Sequence, residues 1–171
     1  MIGAMPVGEA QRSSSGLCLV ARARAAHCAM PLAHVIEIMR PLPIEPIAKA
    51  PSFMLGVAIV RGRATPVIDC GAFVQERALP AHTRWASVRC GDRSAVLAFV
   101  AILGVRELPV PSDDLPPLLS GAPSELLSGL ALLDRTLLLV LHGSRLVPDE
   151  VWQTFESRDE VGGAGRPWSQ A

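Results

Sequence analysis

The stretch Gly56-Val-Ala-Ile-Val-Arg61-Gly62-Arg-Ala-Thr-Pro66-Val-Ile-Asp69 reads as two short strands folded about a tight turn. Four apolar residues follow Gly56, an Arg-Gly pair breaks the run, and a second apolar run ends at the polar Asp69. Gly62 fits a hairpin position with φ > 0, which glycine occupies without steric cost. Arg61 beside it is either a solvated turn charge or a planar five-donor fork offered to a carboxylate. Asp69, just before Cys70-Gly71-Ala72-Phe73, is placed to accept backbone N–H groups as a helix N-cap.

The pattern occurs twice. Gly129-Leu-Ala-Leu-Leu-Asp-Arg-Thr-Leu-Leu-Leu-Val-Leu-His142 aligns with it without a gap, from the opening Gly to the polar stop. A weaker echo pairs Val35–Ile38 with Ile102–Val105, each leading to a charged element and a proline, Pro41 or Pro109. Either Leu- and Val-rich strands coincide here, or the chain holds two copies of one five-strand unit, the sign of two like lobes.

Outward from these segments, short apolar runs alternate with turn residues. Leu17–Arg24, His27–Leu32, Val35–Met39, Val57–Val60 and Thr65–Ile68 form one group; Ala86–Cys90, Ser94–Leu103, Leu130–Leu133 and Leu137–Leu141 form another. No long segment keeps a 3.6-residue period, and fifteen prolines oppose long helices. The fold class is therefore all-β, with short strands in small barrels or a sandwich. Helices are brief: a turn or two over Gly71–Glu76, and Pro148–Ser157, where Val151, Trp152 and Phe155 share a face able to cap the core. The expected organisation is a polar tail over 1–16, a folded body over 17–157 and a second tail over 158–171. Inside the body, one lobe spans about 17–80 and another about 84–147, sharing a core.

Composition narrows the function. Sixteen basic residues balance sixteen acidic ones, so no electrostatic footprint points to nucleic acid or an anionic membrane. Cys18, Cys28, Cys70 and Cys90 form no C-x-x-C pair and read as small buried hydrophobes in a reducing compartment, not as metal ligands. Residues 1–16 lack a basic start and an apolar core, so they do not read as a signal peptide. Ala95 to Val105 is too short an apolar run to span a bilayer. The expected location is cytoplasmic. Asp113-Asp114 sit in a proline-flanked loop and read as a solvated turn. His27, His34, His82 and His142 are scattered, with no nucleophile arrayed beside them. Phosphate-binding, nucleophile-elbow and metalloprotease motifs are missing, and no cofactor is expected. An enzyme or small-molecule binder on this scaffold requires a concave pocket with converging polar groups.

The order and spacing of Val35-Ile-Glu37-Ile38, the spaced prolines Pro41, Pro43, Pro46 and Pro51, Gly56, Arg61-Gly62 and Pro66-Val-Ile-Asp69 resemble the CheW family. The second half resembles that family's second lobe through Leu103-Gly-Val105, Gly129 and Leu137–Leu141. It departs from the family at Val100-Ala101, at Ile59-Val60 and at His142. The resemblance implies two five-stranded SH3-like β-barrel lobes and a non-enzymatic adaptor. Its implied partners are the regulatory domain of a CheA-type histidine kinase and the cytoplasmic tip of a methyl-accepting chemoreceptor. The departures at Ala101 and His142 leave an alternative open, an auxiliary adaptor of a pilus or surface-motility system that binds only one of them. On a strand, Val35, Glu37 and Met39 share a face. Read as the outward face, they put an apolar rim around one charge, and with Arg61 they are the expected partner-binding residues. Glu37 and Arg61 are expected to lie close enough to pair. Gly56, Gly62, Asp69 and Gly129 are expected to be structural.

Overall fold

The computed structural model describes residues 15–24, 26–73, 82–109, 127–141, 147, 149 and 151–153. The strands are β1 (Ser15–Ala23), β2 (Ala26–Pro31), β3 (Val35–Met39), β4 (Met54–Val60) and β5 (Arg63–Asp69), then β6 (Arg84–Cys90), β7 (Arg93–Phe99), β8 (Ala101–Pro109), β9 (Leu127–Leu133) and β10 (Thr136–Leu141). Single 3-10 turns lie at Leu32–His34 and Cys70–Phe73, and residues 149 and 151–153 are helical. The strands assemble into two five-stranded sheets, ordered β8-β1-β2-β10-β9 and β3-β6-β7-β5-β4.

This order corrects the expected lobes. A division near residues 80–84 does not separate the sheets. The β1–β2 hairpin lies with β8–β10, and β6–β7 lies with β3–β5. The repeat unit is β1–β5 and again β6–β10, but each lobe takes its first hairpin from one copy and its last three strands from the other. The exchange explains the one parallel contact in each sheet, β10 on β2 and β5 on β7, within otherwise antiparallel pairing. It also divides the run Ser94–Leu103 at Val100, whose N–H donates to Arg22 O at 2.9 Å where the chain passes from one sheet to the other. Ser15 and Gly16 are paired with Pro109 and Leu108, so the strand starts inside the stretch expected as a tail. The expected tail 158–171, Asp113-Asp114, His142 and Phe155 lie outside the described residues.

The two copies agree in detail. The β3–β6 pairing bulges between Val35 and Glu37, and β8–β1 bulges at the matching Ile102 and Gly104. The β4–β5 pairing slips beside Gly56 and Val67, and β9–β10 slips beside Gly129 and Val140. A shared irregularity at matched positions is a designed feature of the repeat.

Three apolar clusters hold the fold. Cys18, Val20, Ala29, Leu138 and Val140 fill the lobe of β1 and β10. Ala58, Val60, Val67, Trp85 and Val96 fill the other. Between them, Leu19 and Met30 meet Ile68, Leu97 and Phe99 in a shared core that Val151 closes from the C-terminal helix. Strand β1 thus buries Cys18 and Val20 on one face and Leu19 and Ala21 on the other, which is why it reads as a continuous apolar run. All four thiols are buried, and burial pushes Cys28 up to about 12 and Cys90 up to about 11. They are inert packing groups.

The turns of the two repeated hairpins are also alike. Arg61 and Gly62 have φ of 50° and 77°, and Asp134 and Arg135 have 48° and 67°. Two consecutive positive φ values match the twist of paired strands. A Cβ on Gly62 would meet nothing within 4 Å. Gly62→Asn is therefore expected to be nearly neutral. Gly62→Val is expected to lose about 1–2 kcal/mol, because a β-branched residue strains at φ > 0. Urea denaturation of both variants checks the contrast.

Candidate functional site

Strands β3 and β4 are the two edges of their sheet, and a side-chain bridge joins them at the lobe's mouth. Arg61, first residue of the β4–β5 turn, donates from Nε to Glu37 Oε1 at 2.7 Å and from Nη2 to Oε2 at 2.5 Å. The fork meets the carboxylate in the bidentate geometry for which a guanidinium is shaped. That hydrogen bond holds the Glu37 carboxyl below its ordinary value and raises the guanidinium of Arg61. Arg61 is 77% exposed and Glu37 23%. Water screens such a pair, so it adds little to folding; it presents a fixed, oriented charge pair instead.

The apolar surroundings differ from expectation. Val35 and Met39 are half-buried: Val35 packs on the shared core and Met39 on the lobe's own cluster. Their pairing partners explain why. Val35 lies opposite Val88 and Met39 opposite Trp85, both fully buried, which turns that face inward. The outward residues of β3 are Ile36 and Ile38, 48% and 46% exposed, joined by Ile59 of β4 at 63%. The outer face of β3 is thus the apolar one and not the face that carries the charge. The signal that points to it is Ile36 and Ile38 themselves, both in phase with each other and out of phase with Glu37.

Asp69 does more than cap. Its Oδ1 accepts the Gly71 N–H at 2.8 Å and lies 3.1 Å from His82 Nε2, and Oδ2 accepts from Arg24 Nη2 at 2.5 Å. Burial alone would raise its carboxyl, but bonds from His82, Arg24 and the Gly71 N–H outweigh that and hold it low. An ionised carboxylate only accepts, so Nε2 of His82 carries the proton. Arg24 belongs to the β1–β2 hairpin of one lobe and Asp69 ends β5 of the other, so the network fastens the lobes together. Gly71 is required there: a Cβ would lie 2.5 Å from Arg24 Cγ. Arg24 and Asp69 are 45 residues apart, and nothing local in the sequence links them.

Gly56 sits where the proline-spaced segment crosses β4. Glu45 N donates to Val57 O and Val57 N to Glu45 O, both at 2.8 Å, which covers the open edge of β4. Gly129 takes the matching place in β9. Among the described residues no group of three or more His, Cys, Asp or Glu is arranged to hold a metal, and no helix is long and apolar enough to cross a membrane.

Two five-stranded lobes thus exchange their first hairpins, and an ion pair bridges the edge strands of one of them. A family model for the CheW-like domain matches residues 17–151, and the chain belongs to that family. It is 35% identical over 94 residues to protein FrzA of Myxococcus xanthus, covering 54% of this chain and 58% of FrzA. The chain thus spans little more than half the length of that curated relative. Among solved structures it resembles the scaffolding protein TtCheW from Thermoanaerobacter tengcongensis, at a TM-score of 0.65 and 21% identity, covering 75% of this chain and 90% of that one. At that identity the likeness is one of fold.

Proposed function

We propose that this chain is a non-enzymatic cytoplasmic adaptor that couples the tip of a methyl-accepting chemoreceptor to a CheA-type histidine kinase. The observation that carries the reading is the bidentate Arg61–Glu37 pair, on a lobe that also exposes Ile36, Ile38 and Ile59. A fixed charge pair sets register, and exposed apolar side chains on the same lobe supply burial; together they suit protein contact. The kinase regulatory domain docks on this face, and signal passes by assembly, not by chemistry.

Arg61→Glu tests the assignment. The turn residue is solvated, so the variant is expected to unfold at the wild-type urea concentration. Its binding to a purified kinase regulatory domain is expected to weaken about tenfold or more, since like charges then face each other at Glu37. Wild-type affinity in that variant overturns the site. Binding of the wild-type chain to both kinase domain and receptor tip supports coupling. Binding to one alone supports an auxiliary adaptor.

A further inference from the structure

The repeat allows the two lobe mouths to be compared residue by residue. Matching bulges align Glu37 with Gly104, and matching turns align Arg61 with Asp134. The ion pair that closes one mouth is thus deleted in the other. Gly104 supplies no side chain, and its φ of 128° suits glycine. Arg106 of β8 leans over it, with Nη1 3.4 Å from where a Gly104 Cβ would stand. The polarity is inverted: the edge strand brings the cation and the turn brings the anion. Among the described residues, neither Arg106 nor Asp134 forms an ion pair, and Arg106 Nη1 donates to Val105 O at 2.9 Å. A cleft of about 180 Å³ lies between them, lined by the apolar Val20, Leu103, Leu133 and Leu138, with Thr136 and His27 also on its wall.

We propose that this second mouth binds a free α-amino acid with a branched aliphatic side chain. A lone anion suits Arg106 but is repelled by Asp134, and a lone cation meets the converse. A zwitterion satisfies both, its carboxylate on Arg106 and its ammonium on Asp134. The apolar lining then covers the side chain, and the volume is comparable to the ~150 Å³ cavity that admits benzene in another protein. An α-amino acid carries its two opposite charges on groups joined through one carbon, one for each lip of the cleft. This ligand goes beyond adaptor function and does not depend on the Arg61 face.

The test is titration of the full chain with L-leucine, followed by calorimetry and by amide shifts in two-dimensional NMR. Saturable binding is expected, with shifts at Leu133 and Thr136 and none at the Arg61 turn. Isoamylamine and 4-methylpentanoate, each lacking one charge, are expected to bind about tenfold or more weakly. Asp134→Asn keeps a residue tolerant of φ > 0, and Arg106→Gln changes an exposed position. Each is expected to keep the wild-type unfolding midpoint and lose about tenfold in leucine affinity. Arg61→Glu is expected to bind leucine as wild type does. No saturable leucine binding, or equal affinity for the singly charged analogues, overturns the proposal.

Discussion

Asp69→Ala is expected to destabilise the protein by about 3 kcal/mol, the range found when one member of a buried charged pair is removed. Asp69 is 2% exposed and Arg24 15%, so the loss leaves a guanidinium largely out of water beside a vacated site. The Gly71 N–H and the His82 ring lose their acceptor in the same step. For a domain of this size about 3 kcal/mol lowers the midpoint of thermal unfolding by about 10 °C. The effect depends on pH with a definite sign. The folded carboxyl is held below its ordinary value, so its contribution is full above the unfolded pKa and disappears as pH falls through the folded one. Urea titrations of wild type and Asp69→Ala are therefore expected to differ fully near neutrality and to converge in acid. A difference unchanged down to strongly acidic pH would show that Asp69 acts by packing and not by charge. Because Arg24 and Asp69 lie in different lobes, the variant is also expected to loosen the junction, raising amide exchange in the β1–β2 hairpin before global unfolding.

How much of this was legible beforehand follows from the range over which each signal acts. Strands and turns are set within a few residues, and the two like segments beginning at Gly56 and Gly129 point to matching hairpins, which the structure contains as far as Asp69 and Leu141, with matching slips and matching positive φ values. The exchange of β1–β2 and β6–β7 between copies was not legible. Both copies carry equivalent edges, so the pattern of apolar residues is satisfied whichever copy supplies the partner strand. The orientation of β3 is hidden in the sequence for a related reason. A charge in an apolar run suggests an outer face, but at a sheet edge Glu37 shares the half-buried face and still reaches Arg61. The network of Arg24, Asp69 and His82 and the open mouth at Gly104 and Asp134 both require tertiary register, which single residue types do not encode.

Gly56→Ala is expected to be damaging, by about 3–4 kcal/mol, although Gly56 and Gly62 look alike in sequence. Both have positive φ, 141° and 77°. Their surroundings separate them. A Cβ on Gly62 enters open space, whereas one on Gly56 would overlap the carbonyl oxygen of Glu45 and stand 2.7 Å from Ile44 Cγ2. The obstacle is backbone, so no rotamer change relieves it. The strained φ contributes about 1–3 kcal/mol. Displacing the crossing segment then breaks the two hydrogen bonds between Glu45 and Val57, at about 1 kcal/mol each. The second consequence is physical association. With the segment displaced, β4 presents unpaired N–H and C=O groups beside the exposed Ile59, a template for pairing with another chain. Light scattering at rising concentration is expected to show oligomers for Gly56→Ala and none for Gly62→Asn. A Gly56→Ala protein as stable and monodisperse as wild type would mean that the segment around Glu45 does not seal this edge.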